Sequence, residues 1–220
     1  MAVLEEEECG QSGWGLMDVR KYGVLFFVVV AVVALLAASP ALSRVLVFPR
    51  TEFFTALWIL SSNNTTEDYP FNISSGESYG ISLGLENQLG YCAYYLIEVK
   101  FRNETQSVPS SFGPLENRTP SSLPSLFNIS AFVADQSDWE LPLTFGFDYG
   151  FNDTLVRVDF HTMIFNGNVL NLEGASTSWN ATTSRFYGAL FFELWLYDRA
   201  TTNFQYNGRF VDLKLNMTAT

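Results

Sequence analysis

The feature that constrains this chain most is an uninterrupted apolar run near its N-terminus. No charged residue occurs from Tyr22 to Ser43, and most side chains in this run are Val, Leu, Ala or Phe. The stretch from Gly23 to Leu42 would span about 30 Å as an α-helix, which is the hydrocarbon thickness of a bilayer. We therefore predict a transmembrane helix over residues 22–43.

A cleaved secretory signal peptide is the competing interpretation of this run. The apolar core of a signal peptide has about 7–15 residues and ends at small residues that mark the cleavage site. Small residues do occur here, at Ala37, Ala38, Ser39 and Ala41. The run is nevertheless longer than such a core, which favours an uncleaved anchor.

The direction of the anchor is indicated by glycosylation sequons. Basic residues flank the apolar run equally, with Arg20 and Lys21 before it and Arg44 and Arg50 after it, so the positive-inside rule gives no direction. Sequons of the form Asn-X-Ser/Thr accept glycans on the outer side of a membrane. All nine sequons follow the run, at Asn63, Asn64, Asn72, Asn103, Asn117, Asn128, Asn152, Asn180 and Asn216.

These observations divide the chain into three parts. Residues 1–21 form a cytoplasmic acidic tail containing the run Glu5–Glu8, without apolar periodicity, and we expect the tail to be disordered. The helix at 22–43 follows, and residues 44–220 form an extracytoplasmic domain. We accordingly predict a single-pass protein of the cell membrane, with the lipid bilayer as one of its partners.

Alternation with a period of two dominates the outer domain. Apolar side chains at every second position mark half-buried antiparallel strands. Gly, Asn, Asp and Pro separate these segments, and no long helical pattern intervenes. The sequence therefore predicts an all-β ectodomain, an antiparallel β-sandwich of about seven to nine strands. The clearest segments are Tyr79–Leu85, Tyr91–Phe101, Leu141–Phe147, Val156–Phe160 and Val211–Met217.

Three segments depart from this alternation. Arg185–Tyr197 is apolar on both faces, and Thr51–Leu60 is similar and follows the membrane helix directly. A strand of this kind is either covered on both sides or presents one face to a partner. The third segment, 104–126, is rich in Pro and Ser and predicts an exposed extended loop. We predict a partner interface that includes Phe53, Phe54, Trp58, Phe192, Leu194 and Leu196.

Composition excludes several function classes. The net charge is −11 and the pI about 4.4, whereas a nucleic-acid-binding protein needs a basic face. His161 is the only histidine, so one chain cannot form a Ser–His–Asp or His-metal cluster. Cys9 and Cys92 lie on opposite sides of the predicted helix and cannot pair with each other; we expect Cys92 to be a buried or partly buried thiol. We assign no catalytic residue, cofactor or metal ligand, and expect no enzymatic activity.

Several segments resemble an archaeal family of membrane proteins, the family known as domain of unknown function 1616. The resemblance covers about residues 51–217 and implies an immunoglobulin-like domain held at an archaeal membrane, without an activity or catalytic residues. The segments that carry it are Thr51-Glu52-Phe53-Phe54, Glu67-Asp68-Tyr69-Pro70, Ser75-Gly76-Glu77, Glu86-Asn87-Gln88, the strand Phe192–Tyr197 and the terminal strand Arg209–Met217.

The function favoured at this stage is structural. We expect a cell-surface glycoprotein that acts as a subunit of a membrane or surface-layer complex, with other membrane or surface-layer proteins, or copies of itself, as partners. A surface module that binds glycans or peptides is the alternative, because aromatic residues are abundant. A pilin-like filament subunit is less favoured, because Pro40 ends the predicted helix early.

Overall fold

The computed structural model describes residues 19–45, 52–110, 113–114 and 117–218. The predicted acidic tail, apart from its last three residues, and Cys9 lie outside these ranges. The chain divides into two compact units, Met1–Thr51 and Glu52–Thr220.

The first unit contains one long apolar helix, α1, at Val19–Val45. Its segment Tyr22–Ser39 has a mean hydropathy of 2.6, and none of that segment is buried. The helix is therefore long and apolar enough to cross a membrane, a criterion that a signal sequence near the N-terminus also meets. It is a few residues longer at each end than the predicted range of 22–43.

The second unit is a β domain. Eleven strands occur in its described residues: β1 Phe54–Ser61, β2 Asn72–Ser74, β3 Tyr79–Gln88, β4 Ala93–Asn103, β5 Phe127–Val133, β6 Ser137–Asn152, β7 Arg157–Phe165, β8 Asn168–Asn171, β9 Ser176–Asn180, β10 Arg185–Asp198 and β11 Asn203–Thr218. The predicted all-β domain after one helix is confirmed. The strand count exceeds the predicted seven to nine because β2, β8 and β9 are too short to show a sequence periodicity.

The strands form two layers that face each other. Layer A contains β1, β3, β6 and β7, with β8 on its edge, and layer B contains β5, β4, β10, β11 and β2. Strand β9 pairs with both β7 and β10, so the two layers belong to one curled sheet. Most pairings are antiparallel, as predicted, but β2 pairs with β11 in parallel.

The core between the layers is built from alternating residues. Phe101 on β4 packs against Phe160 on β7, with ring centroids 4.7 Å apart, and Phe127 packs against Phe165 at 5.3 Å. The predicted inward residues of β3, β4, β6 and β11 are mostly buried. Val156 is an exception, since it is 52% exposed and has a positive φ in the turn before β7.

The domain has two distinct ends, which are used as reference points below. At the first end lie the starts of β1 and β4, the turn 89–92 and the hairpin turn 199–202. We call this end the aromatic end. At the opposite end lie the last residues of β4 and β11 together with β2 and β9. We call this end the sequon end.

Candidate interaction surface

Two of the predicted interface residues lie exposed at the aromatic end. Phe53 is 62% and Phe54 is 38% exposed. The ring of Phe53 lies so close to Gly90 that a Cβ atom at that glycine would be 3.1 Å from it. Tyr91, in the same turn, is also exposed. The aromatic end therefore presents phenyl and phenol rings where the chain enters β1.

The predicted interface is wrong at Phe192 and Leu194. Both side chains are fully buried and belong to the hydrophobic core, and Leu196 is partly buried against that core. Strand β10 is apolar on both faces, so its periodicity did not reveal which face points inward. The outward face carries Phe191, Glu193, Trp195 and Tyr197 instead.

Trp58 serves packing within the domain. Its side chain is half-buried, and its indole occupies the space where a side chain of Gly84, its direct partner on β3, would lie. The glycine therefore allows the indole to lie flat on the outer surface of layer A. Trp58 is therefore only partly available to an interface.

The outward face of layer B carries a row of aromatic side chains near the aromatic end. Tyr94 stacks on Phe132 with a centroid distance of 4.1 Å and an interplanar angle of 10°. Tyr94 also approaches Phe204 at 5.1 Å and Tyr197 at 6.0 Å. These four residues, one each from β5, β4, β10 and β11, form what we call the aromatic row. Phe132 at its edge is 72% exposed.

A second pair of rings continues this surface toward the middle of the sheet. Trp195 and Tyr206 are direct partners on β10 and β11, with centroids 5.6 Å apart. Trp195 Nε1 and Tyr206 Oη are buried and have no hydrogen-bond partner among the described residues. Burial, and after it the negative charge of Glu193, raises the pKa of Tyr206 to about 12.

Beyond these rings, the segment 104–126 covers layer B. The buried carboxylate of Glu193 accepts hydrogen bonds from Lys100 Nζ at 2.7 Å and from the backbone N–H of Ser121 at 2.6 Å. Lys100 Nζ also donates to the Ser121 carbonyl at 3.2 Å, and Arg118 donates to the Gly208 carbonyl at 3.0 Å. Most described residues of the segment are exposed, as predicted, and a buried ion pair that bonds to Ser121 attaches it to the sheet.

The sequons are distributed unevenly over the domain. Seven lie at the sequon end, at Asn63, Asn64, Asn72, Asn103, Asn152, Asn180 and Asn216. Asn128 lies on β5 opposite Glu98, in the middle of layer B, and Asn117 lies in the covering segment. The turns of the aromatic end contain no sequon.

The nine asparagines also differ in burial. Asn63, Asn64, Asn72, Asn117 and Asn128 are exposed, whereas Asn103, Asn152 and Asn180 are half-buried. Asn216 is buried, with 9% exposure. Nδ2 of Asn216 donates to Asn72 Oδ1 at 2.9 Å, so these two sequon side chains are bonded to each other.

An open groove separates the edges of the two layers. In the described part of the chain, strand β1 pairs with β3 alone, and the edge of β11 that faces β1 is unpaired until its last three residues meet β2. The groove between them has a volume of about 660 Å³ and is lined by Leu57–Ile59, Tyr69–Phe71 and Phe210–Lys214. Its lining is mostly apolar, with Asp212 and Lys214 at the rim.

The described residues contain no group of three or more His, Cys, Asp or Glu side chains that could hold a metal ion. His161 lies exposed with its Nδ1 3.7 Å from an Asp148 carboxylate oxygen. Cys92 is a free, exposed thiol at the aromatic end, so its expected burial is wrong. It lies in the turn before β4 rather than within the strand.

Comparisons with known proteins give only distant similarities. No family model and no curated protein matches the chain. A β-glucosidase from Listeria innocua, solved with isofagomine, aligns at 8% identity over 79% of this chain and 17% of the enzyme, with a TM-score of 0.37. A PapD-like domain of human CEP192 aligns at 11% identity over 80% of this chain and 93% of that domain, with a TM-score of 0.25. A cohesin module from Clostridium perfringens aligns at 11% identity over 76% of this chain and 98% of the module, with a TM-score of 0.26.

Sequence reasoning missed the aromatic row. Its members come from four strands that are up to 110 residues apart (Tyr94 to Phe204), and only the register of layer B brings them together. One signal was present, because Trp195 and Tyr197 alternate with the core residues Leu194 and Leu196. Identification of Leu194 as an inward residue would have placed both rings outside.

Proposed function

We propose that this protein is a single-pass cell-surface glycoprotein that acts as a subunit of a membrane or surface-layer complex. In this proposal α1 is the membrane anchor, the N-terminus is cytoplasmic and the β domain is extracytoplasmic. The partner is another membrane or surface-layer protein, or a second copy of this chain. The resemblance to domain of unknown function 1616 supports such a role.

The observation that carries the proposal is the opposite placement of sequons and exposed rings. Phe53, Phe54, Tyr91 and Phe132 are exposed at the one end whose turns have no sequon. An exposed apolar patch rimmed by polar residues marks an interaction site, and aromatic residues are enriched in such sites. Glycans at the other end would not obstruct a partner bound at Phe53, Phe54 and Tyr91. A glycan at Asn128, which lies four residues before Phe132 on the same exposed face of β5, would restrict the contact only at Phe132.

The exposed apolar residues at the sequon end are less accessible to a partner, because sequons lie beside them. Leu155, Val156 and Trp179 are exposed there, but they lie close in sequence to the sequons at Asn152 and Asn180. A glycan at either asparagine would hinder the approach of a large partner. The aromatic end is therefore the better docking surface.

The test is the association state of variants purified gently from their native membrane. We expect Phe132→Glu and Phe54→Glu each to release the partner, because a carboxylate would be desolvated in the contact. Val169→Glu is the matched control, since Val169 is 69% exposed and lies on β8, away from the aromatic end. A monomeric unmodified protein, or retention of the partner by both variants, would contradict the proposal.

A peptide-binding module is the second candidate, and the groove between β1 and β11 favours it. An extended peptide can add to a free strand edge, with backbone hydrogen bonds for affinity and side-chain pockets for specificity. The groove offers two such edges and an apolar floor that includes Leu57. The Ile59 carbonyl accepts from Tyr69 and the Ser61 N–H donates to Thr65, so the backbone groups of alternate residues including Leu57 face away from β3. Leu57→Pro, which removes a backbone donor on that side, would then weaken peptide binding without affecting contacts at Phe132.

A further inference from the structure

We propose that glycan occupancy follows the exposure of the asparagines in the folded domain, so that Asn216 stays unmodified. The exposed residues Asn63, Asn64, Asn72, Asn117 and Asn128 are then the main acceptors. This inference rests on the proposed extracytoplasmic location of the domain. It extends that proposal by identifying which asparagines carry a glycan and the structural reason for each.

The chemistry of attachment defines what each side chain must provide. The acceptor nitrogen Nδ2 loses one proton and forms a bond to C1 of the first sugar. The bond between that carbon and the phosphate of a lipid-linked oligosaccharide donor breaks, and the lipid phosphate leaves. Because Nδ2 keeps only one N–H, an acceptor needs free space beside the nitrogen and a spare N–H.

Asn216 lacks the free space, because its side chain is buried and held by its neighbours. Its Nδ2 donates to Asn72 Oδ1, its Oδ1 accepts from the Phe186 N–H at 3.3 Å, and its backbone N–H donates to the Phe71 carbonyl at 2.7 Å. Thr218, the third residue of the sequon, donates its hydroxyl to the Ile73 carbonyl at 3.1 Å. The whole sequon therefore belongs to the junction of β2 and β11.

The order of glycosylation and folding does not change this conclusion. A sugar attached before folding would occupy the space that Asn72 and Phe186 fill around Asn216, and it would prevent the parallel pairing of β2 with β11. A sugar could be attached after folding only if that pairing opened. Folded protein therefore has a bare Asn216 by either route.

Asn72 is the matched contrast, because it is the other member of the same hydrogen bond. Its Oδ1 accepts from Asn216, while its Nδ2 has no hydrogen-bond partner among the described residues. The Asn72 side chain is exposed. The free nitrogen of Asn72 can therefore carry a sugar while the bond between the two asparagines remains.

Three half-buried sequons fall between these cases. Each donates Nδ2 to a neighbour: Asn103 to the Ser176 carbonyl at 2.9 Å, Asn180 to Glu104 Oε1 at 2.6 Å and Asn152 to Asp159 Oδ2 at 3.5 Å. One N–H of each remains, but the space beside it is restricted. We expect lower occupancy at these three residues than at the exposed ones.

Asn63 and Asn64 compete with each other for one sugar. Consecutive Cα atoms are about 3.8 Å apart, which leaves too little room for two oligosaccharides side by side. We therefore expect one glycan on each molecule at this pair. The fully occupied domain would carry four glycans at its exposed sites.

Glycopeptide mass spectrometry of the full-length protein from its native membrane tests the inference. Trypsin cleavage after Lys214 isolates residues 215–220, which contain Asn216 as the only sequon. A glutamate-specific protease that cleaves after Glu67 separates the Asn63–Asn64 pair from Asn72. We expect the 215–220 peptide entirely without sugar and the Asn72 peptide mostly modified. Sugar on Asn216, or occupancy of Asn72 no higher than that of Asn216 while other sites are modified, would overturn the inference and leave the topology intact.

Substitutions provide an independent measurement. Asn72→Gln should lower the intact mass by one glycan, and Asn216→Gln should leave the number of glycans unchanged. Asn216→Gln disturbs a buried contact and can impair folding. In that case the peptide mapping of the wild-type protein decides. A bare 24.7 kDa chain, with no sugar at any site, would instead overturn the proposed extracytoplasmic location.

Discussion

At the scale of single residues, the buried ion pair of Lys100 and Glu193 is the contact whose loss we expect to lower the free energy of unfolding most. Lys100 is 3% exposed and Glu193 is completely buried, and Lys100 also contacts the Glu98 carboxylate at 3.0 Å. Removal of one partner from a buried ion pair leaves an uncompensated charge, at a cost of about 3–5 kcal/mol. We expect Lys100→Met to lower the free energy of unfolding by about that amount, as measured by chemical denaturation.

The control for this substitution is Lys214→Met, since Lys214 is exposed and its loss should change stability by less than about 0.5 kcal/mol. If Lys100→Met changes the free energy of unfolding as little as Lys214→Met does, the buried ion pair does not stabilise the domain. Replacement of both Lys100 and Glu193 by apolar residues should recover part of the loss, although the Ser121 N–H then lacks an acceptor.

Tyr206 gives a prediction for alkaline pH. Its pKa in the folded domain is about 12, whereas an unfolded tyrosine titrates near 10. Below pH 10 both states are protonated; from pH 10 to 12 the unfolded state loses the proton first, so stability falls as the pH rises. Tyr206→Phe should make that fall less steep, and it should change stability little at pH 7 because the hydroxyl has no partner. An equally steep fall in stability between pH 10 and 12 in Tyr206→Phe would contradict this assignment.

At the scale of elements, the contact between β1 and β3 depends on the absence of a side chain. A Cβ atom at Gly84 would overlap the indole of Trp58. We therefore expect Gly84→Ala to displace the indole into water, shift tryptophan fluorescence to the red and destabilise the domain by about 1–3 kcal/mol. Gly150→Ala is the control, because its Cβ would meet His161 at an ordinary 3.6 Å; an unshifted spectrum for Gly84→Ala would contradict the packing role of Trp58.

The inward face could be predicted from the sequence for strands with polar residues on the other face. It could not be predicted for β10, which is covered on both faces. In β4 the inward residues Ala93, Tyr95, Ile97, Val99 and Phe101 are all buried, because polar residues mark the opposite face. In β10 both faces are apolar, so Phe192 and Leu194 could not be assigned to the core. The cover over β10 depends on Ser121 meeting Glu193, 72 residues later, and no local pattern records such a contact.

At the scale of the whole molecule, the two cysteines provide a test of orientation. Cys92 is exposed at the aromatic end, and Cys9 precedes the apolar helix. If the β domain is extracytoplasmic, a maleimide that cannot cross membranes should label Cys92 in intact cells and reach Cys9 only after the membrane is opened. Cys92→Ser should then abolish labelling of intact cells. Labelling of Cys9 alone would require the opposite orientation.

The pairing of β11 also has a consequence for biosynthesis. Strand β11 lies along β10 over most of its length and finally meets β2, whose residues are made about 140 positions earlier. Because the chain is synthesised from its N-terminus, the edge of β10 stays open until residues 203–218 have been made. Open strand edges readily bind other chains. This domain thus closes only after residues 203–218 have been made, and until then the uncovered edge of β10 is accessible to other chains.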